Sequence, residues 1–176
     1  ILGFFWLING SGYHWSYFSE INPTAYAFGA VFVAQAALLG ISPLIFGGVQ
    51  FSVENDARSV TGLLLVAFAM AAYPVWGWIA GHSYPAAPVF GVAPCPTNIF
   101  TIGILLLSSW RKVRWLLIVP ALWGAIGGSA AVFLNVPQDL GLLAALFVIC
   151  VFAIGHWRGK AFAGHTADRS TSAGSK

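Results

Sequence analysis

No charged side chain occurs between Arg58 and Arg111, and residues 21–53, 115–138 and 140–157 are equally bare. A water-soluble fold of this length needs a polar shell, yet Asp, Glu, Lys and Arg make up 7% of the chain, against roughly 25% in an ordinary soluble domain. So few charges cannot cover a core, so hydrocarbon has to take the place of water over most of the surface. The mean hydropathy of +0.81 agrees. The expected fold is all-α, a polytopic transmembrane helix bundle whose first partner is the lipid bilayer.

Polar and proline-rich breaks divide the apolar sequence into six spans: 1–18, 24–48, 60–80, 97–109, 115–134 and 138–157. Asn22-Pro23 opens the second span, because proline is tolerated in the first turn of a helix. Asn135, Pro137 and Asp139 open the sixth. The first span is incomplete at its start, since the sequence begins inside an apolar run at Ile1. The fourth is short: about 13 residues at ~1.5 Å each reach about 20 Å of a ~30 Å hydrocarbon core. Residues 1–157 thus form the transmembrane domain, and 158–176, rich in Ser, Thr, Gly and Ala, read as a disordered tail.

The basic residues set the orientation. Arg58 follows the second span, Arg111, Lys112 and Arg114 follow the fourth, and Arg158, Lys160, Arg169 and Lys176 follow the sixth. None of the 8 lies in the three remaining connections. By the positive-inside rule the basic loops and the C-terminus are expected to be cytoplasmic. A nucleic-acid partner is not indicated, because the cations have long apolar flanks rather than a groove-sized face. Trp15, Trp76, Trp78, Trp110, Trp115 and Trp157 fall near span ends, where indoles favour the headgroup layer, whereas Trp6 and Trp123 do not and are assigned to packing between helices. Cys95 and Cys150 fall near opposite faces, which argues against a disulfide.

The outer face gathers the unusual side chains. His14 and Glu20 end the first span, residues 82–98 join the third to the fourth, and Asp139 starts the sixth. Pro85, Pro88, Pro94 and Pro96 keep that joining segment from being a regular helix, while its Ala, Val and Phe make it too apolar for a solvated loop. It should fold back over the helices as a lid. Irregular backbone at membrane depth is tolerated where it lines a cavity, so a vestibule is expected there, with a helix N-terminus at Thr97 and Asn98 offering free N–H groups. The candidate ligand-binding residues are His14, His82, Tyr84, Cys95, Thr97, Asn98 and Asp139. His14, His82, Cys95 and Asp139 are also of metal-ligand type, although their spacing matches no local metal signature. The corresponding packing feature is Gly124, Gly127, Gly128 and Ser129, a small-residue face in the fifth span. Asn9 and Gln35 are polar within spans and should bond across helices, and Pro43, Pro74 and Pro120 should kink theirs.

Tyr13-His14-Trp15, Ile21-Asn22-Pro23, His82-x-Tyr84-Pro85, Pro94-Cys95-Pro96-Thr97 with Ile99-Phe100-Thr101, Gly127-Gly128-Ser129-Ala130-Ala131 and Pro137-Gln138-Asp139-Leu140-Gly141 follow one another in order. With these six motifs the chain resembles a family of uncharacterised bacterial multi-pass membrane proteins, classed as a domain of unknown function, over residues 1–157. The resemblance implies one further N-terminal span, hence seven in the full-length protein, and carries no activity or cofactor with it.

No Walker loop, HExxH, GxSxG or paired intramembrane carboxylate occurs, and no lysine lies inside a span. The leading functional expectation is a non-enzymatic membrane protein that binds a small ligand in its outward vestibule, as a permease-like or sensory component. One alternative is an accessory subunit packed against other membrane subunits of a respiratory or photosynthetic complex. Another is a membrane enzyme using His14, His82 and Cys95 around a metal.

Overall fold

The computed structural model describes residues 1–45, 47, 49–81, 87–134 and 136–173. Helices occupy all six apolar stretches, and among the described residues the only extended pairing is one antiparallel bridge between Phe51 and Ser108. Helix α1 (Leu2–Ile8) continues as a π-helical segment, Asn9–Tyr17, and a 3-10 turn, Phe18–Glu20. Next come α2 (Ala25–Ile45) and the rod formed by α3 (Ala57–Ala67), a π turn (Phe68–Ala72) and α4 (Tyr73–Ile79). Helices α5 (Pro94–Leu106), α6 (Trp110–Val113) and α7 (Ile118–Leu134) precede a 3-10 turn, Pro137–Asp139, that leads into α8 (Leu140–Ala173). Three of these are long and apolar enough to cross a membrane: Ala25–Ile45, Ala57–Ile79 and Pro137–Trp157. The helical backbone of α8 passes Arg158, where composition places the start of a tail, and no side chain from Arg158 onward is described.

The shortness of the fourth span has its explanation in the centre of the bundle. Helix α5 packs against α1, α3, α7 and α8, and Ile99, Thr101, Ile102, Gly103, Leu105 and Leu106 are all buried. An element sheathed by other helices does not have to match the thickness of the bilayer. Its closest neighbour is α3. A Cβ added at Gly62 would lie 2.7 Å from the Gly103 carbonyl oxygen, and one added at Gly103 the same 2.7 Å from that of Gly62. Only glycine on both helices allows this backbone approach, which gains dispersion and polar contact where no hydrophobic effect drives helices together. Helices α7 and α8 pack in a similar way. A Cβ at Gly127 would come within 2.9 Å of Leu142 and one at Gly124 within 3.3 Å of Leu146, while the Ser129 hydroxyl is exposed and donates to the Ile126 carbonyl.

Each interior proline withdraws a backbone donor, and the carbonyl four residues earlier needs another partner wherever packing keeps water away. For Pro43 that carbonyl belongs to Leu39, and the Ser42 hydroxyl donates to it at 3.0 Å. For Pro120 it belongs to Leu116, which receives Gln35 Nε2 of α2 at 2.8 Å. The expected mid-span kink at Pro120 is not found, because Arg114 to Leu117 form a turn and α7 starts at Ile118, leaving the proline in the first helical turn. Pro74 directly follows the π turn, in which the Tyr73 N–H reaches back to Phe68 O. That wider turn absorbs the missing bond.

Candidate functional site

Four elements converge near the Pro94 end of α5. The π segment after α1 supplies Tyr13 and His14, the start of α4 supplies Tyr73, the first turn of α5 supplies Cys95, and the turn before α8 supplies Asp139. Trp123 reaches in from α7. The Tyr73 hydroxyl donates a short hydrogen bond to the Asp139 carboxylate, and the Cys95 thiol is bonded to the same carboxylate with Trp123 and Tyr73 beside it. Tyr13 lies within electrostatic reach of both Cys95 and Asp139. Burying a carboxylate is costly unless hydrogen bonds replace its water, and Tyr73, itself 1% exposed, supplies one of them. Asp139 also lies where the positive end of the α5 dipole favours an anion.

His14 adjoins this cluster through Trp123. Its ring is fully buried, with centroid distances of 4.7 Å to Phe32, 5.1 Å to Trp123, 5.1 Å to Tyr13 and 6.0 Å to Phe28. Neither ring nitrogen has a hydrogen-bond partner, and the Trp123 indole N–H is directed at the Cys95 sulfur. On the other flank of α5 a polar seam is mostly satisfied. Asn9 Nδ2 donates to Phe5 O at 2.8 Å and to Gly91 O at 3.2 Å. The Thr97 hydroxyl accepts from the Gly91 N–H at 2.9 Å and donates to Ala93 O at 2.7 Å. Gly91 adopts φ +88, a left-handed conformation that favours glycine, and so turns the incoming chain toward α5. Asn98 Nδ2 donates to Pro120 O at 3.1 Å, Trp6 Nε1 donates to Thr101 Oγ1 at 2.8 Å, and the side-chain oxygens of Asn9 and Asn98 are left over, buried and unpaired.

Over residues 1–163 the chain matches a family described as "Family of unknown function (DUF6064)". The chain belongs to this family. No curated protein and no solved structure matches it. For this member, the chemistry of the site therefore has to be read from its own geometry.

The residues singled out from sequence are distributed as follows. Cys95 and Asp139 meet directly, and His14 lies one aromatic ring away. Thr97 and Asn98 lie inside the helix rather than at its start, because α5 begins at Pro94. Two of the three leading positions are prolines without an N–H, and the Thr97 N–H is directed to Ala93 O at 3.4 Å, so the expected row of free N–H groups does not exist there. His82 and Tyr84 lie outside the described residues. Among the described residues no three His, Cys, Asp or Glu side chains are gathered as metal ligands. Tyr73 escaped the sequence reading, since a tyrosine before a mid-span proline looks like packing. Trp123 carried a signal in its position away from any span end.

Proposed function

We propose that this protein is a non-enzymatic, permease-like or sensory membrane component that binds a small polar ligand between the π segment of α1, the Pro94 end of α5, and α7. The observation that carries this reading is His14, enclosed by aromatic rings with both nitrogens unpaired. A buried polar atom without a partner costs about 1–3 kcal/mol, and both His14 nitrogens are such atoms, with Asn9 Oδ1 and Asn98 Oδ1 two more across α5. A fold that carries this cost in hydrocarbon keeps donors and acceptors available to a guest. Imidazole, indole and amide oxygens around aromatic faces suit a small neutral or weakly charged molecule better than a bulky anion. In this reading Arg58 and Arg111 face the cytoplasm of a bacterial inner membrane, and the candidate site belongs to the outer half of the protein.

Native mass spectrometry of the protein released from nanodiscs tests the proposal. Wild type is expected to carry a small-molecule adduct that His14→Phe loses while keeping its helicity. A bare polypeptide mass for both proteins, in preparations that still retain bound lipid, overturns it. Co-migration with fixed partner subunits in mild detergent would instead favour the accessory-subunit reading. Impermeant labelling that found Arg58→Cys and Arg111→Cys on opposite sides of the membrane would remove the orientation.

A further inference from the structure

At the other end of α5, far in sequence from the His14 region, a cavity of about 600 Å³ is lined by Arg58, Arg111, Lys112, His156, Ser108 and Glu54, with Gln50 and Ser52 on one wall. Three permanent cations face one carboxylate. Glu54 accepts from the Ser52 hydroxyl at 3.3 Å, and the balance of the lining side chains stays cationic. Two of the lining residues carry an enclosed polar atom without a partner. The Ser108 hydroxyl is unpaired in a residue 2% exposed, and His156 Nε2 is enclosed and unpaired. Both are groups that hydrogen-bond a phosphate oxygen.

The wall of the cavity says what else the ligand carries. Residues 49–52 are extended and held against the end of α5 by the Phe51–Ser108 bridge and by Ser52 N donating to Leu107 O at 2.9 Å. Side chains of extended backbone alternate in direction. Gln50 and Ser52 accordingly line the cationic cavity, while Val49 and Phe51 line an apolar groove of about 840 Å³ together with Phe4, Leu7, Leu105 and Leu116. Across one strand's thickness, a cationic compartment thus adjoins an acyl-sized hydrophobic one. Basic pockets between membrane helices take phospholipid headgroups in the same way.

We infer that this protein holds one anionic phospholipid, its phosphate among Arg58, Arg111, Lys112 and Ser108 and an acyl chain in the groove behind Phe51. The site is independent of the His14 region, and its test does not depend on the reading given for that region.

The experiment uses the full chain in nanodiscs of phosphatidylcholine with a minor fraction of phosphatidylglycerol, and native mass spectrometry to count retained lipids. Wild type is expected to retain one phosphatidylglycerol in preference to phosphatidylcholine. Preference should fall about fivefold for each cation removed in Arg58→Gln and Arg111→Gln. Phe51→Ser, which spares the cations, should weaken retention of long-chain but not of short-chain phosphatidylglycerol. Equal retention of both lipids by wild type, or unchanged preference in Arg58→Gln/Arg111→Gln with normal thermal stability, overturns the inference. Displacement of the lipid by millimolar inorganic phosphate with no dependence on chain length would also overturn it, by showing a site for the free anion.

Discussion

Helix α5 has polar surroundings at both ends, and they are built on opposite principles. At Pro94 the groups are buried or half-buried and aromatic-walled, with one half-buried carboxylate held by Tyr73 and Cys95 and several neutral atoms left unpaired. At Leu106 the groups are cationic, partly wet and spread around an open cavity. A buried hydrogen-bonded cluster and an exposed charged one affect a protein differently. Losing a partner in the first leaves an unsatisfied group in low dielectric, whereas losing a charge in the second removes an interaction that water already screens. The Pro94 end therefore bears on stability and shape selection, and the Leu106 end on charge recognition.

The comparison breaks most completely if the axis joining the two ends is removed. Gly103→Val pushes a branched side chain against the Gly62 carbonyl, a backbone atom that cannot rotate away, and is expected to cost about 3 kcal/mol or more. Thermal unfolding in detergent should show a collapse of the folded fraction, while Gly155→Val, with open space around its Cβ, leaves the midpoint in place. Normal stability of Gly103→Val would mean that α3 and α5 are not in backbone contact.

A smaller effect separates the ends from each other. Asp139→Leu strands the Tyr73 hydroxyl and is expected to lower stability by about 1–3 kcal/mol, whereas Arg111→Gln, at an exposed cation, stays within about 0.5 kcal/mol. Equal losses in the two variants would erase the distinction. Gln35→Leu comes next. It leaves the Leu116 carbonyl without a donor, for a loss of about 1 kcal/mol, and Gln35→Met, similar in shape but with no donor, should lose as much.

The smallest effect is one of pH and belongs to the basic face alone. Asp56 caps α3, where the Ser59 N–H at 2.8 Å and the Ser59 side chain hold its carboxyl below the usual carboxylate range, with Arg58 adding in the same direction. Because the folded value is the lower one, the cap's contribution is full above the ordinary carboxylate range and is lost as pH falls through the folded value. The protection factors of the amides in the first turn of α3, taken relative to intrinsic exchange at each pH, should fall over that window in wild type and stay level in Asp56→Asn.

Much of this architecture is legible in the sequence, because hydrocarbon imposes long apolar runs and confines charge to their ends. The six helical stretches and the segregation of Arg58, Arg111 and Lys112 from Asp139 follow from that rule. What it does not convey is lateral arrangement. The short fourth span looks like a mismatch with the bilayer until its neighbours are known, and Gly62 and Gly103 carry no spacing motif because the close pair forms across 41 residues (103 minus 62) rather than along one helix. The meeting of Cys95 with Asp139 was accessible as a shared side of the membrane, and Tyr73 was not, since nothing local marks a tyrosine whose partner lies 66 positions away. The π segment at Asn9–Tyr17 is equally silent, because a wider turn leaves no mark in hydrophobic period.

The bond from Gln35 to the Leu116 carbonyl has a mechanical meaning. A helix rotated by one position swings its side chains through about a third of a turn, so α2 has a single angular setting at which it can serve the acceptor vacated by Pro120. Any twist of α2 against the stem of α7 strips that oxygen in the driest part of the molecule. The bond thus favours one angular setting of α2 by about 1 kcal/mol over settings that strand the Leu116 carbonyl.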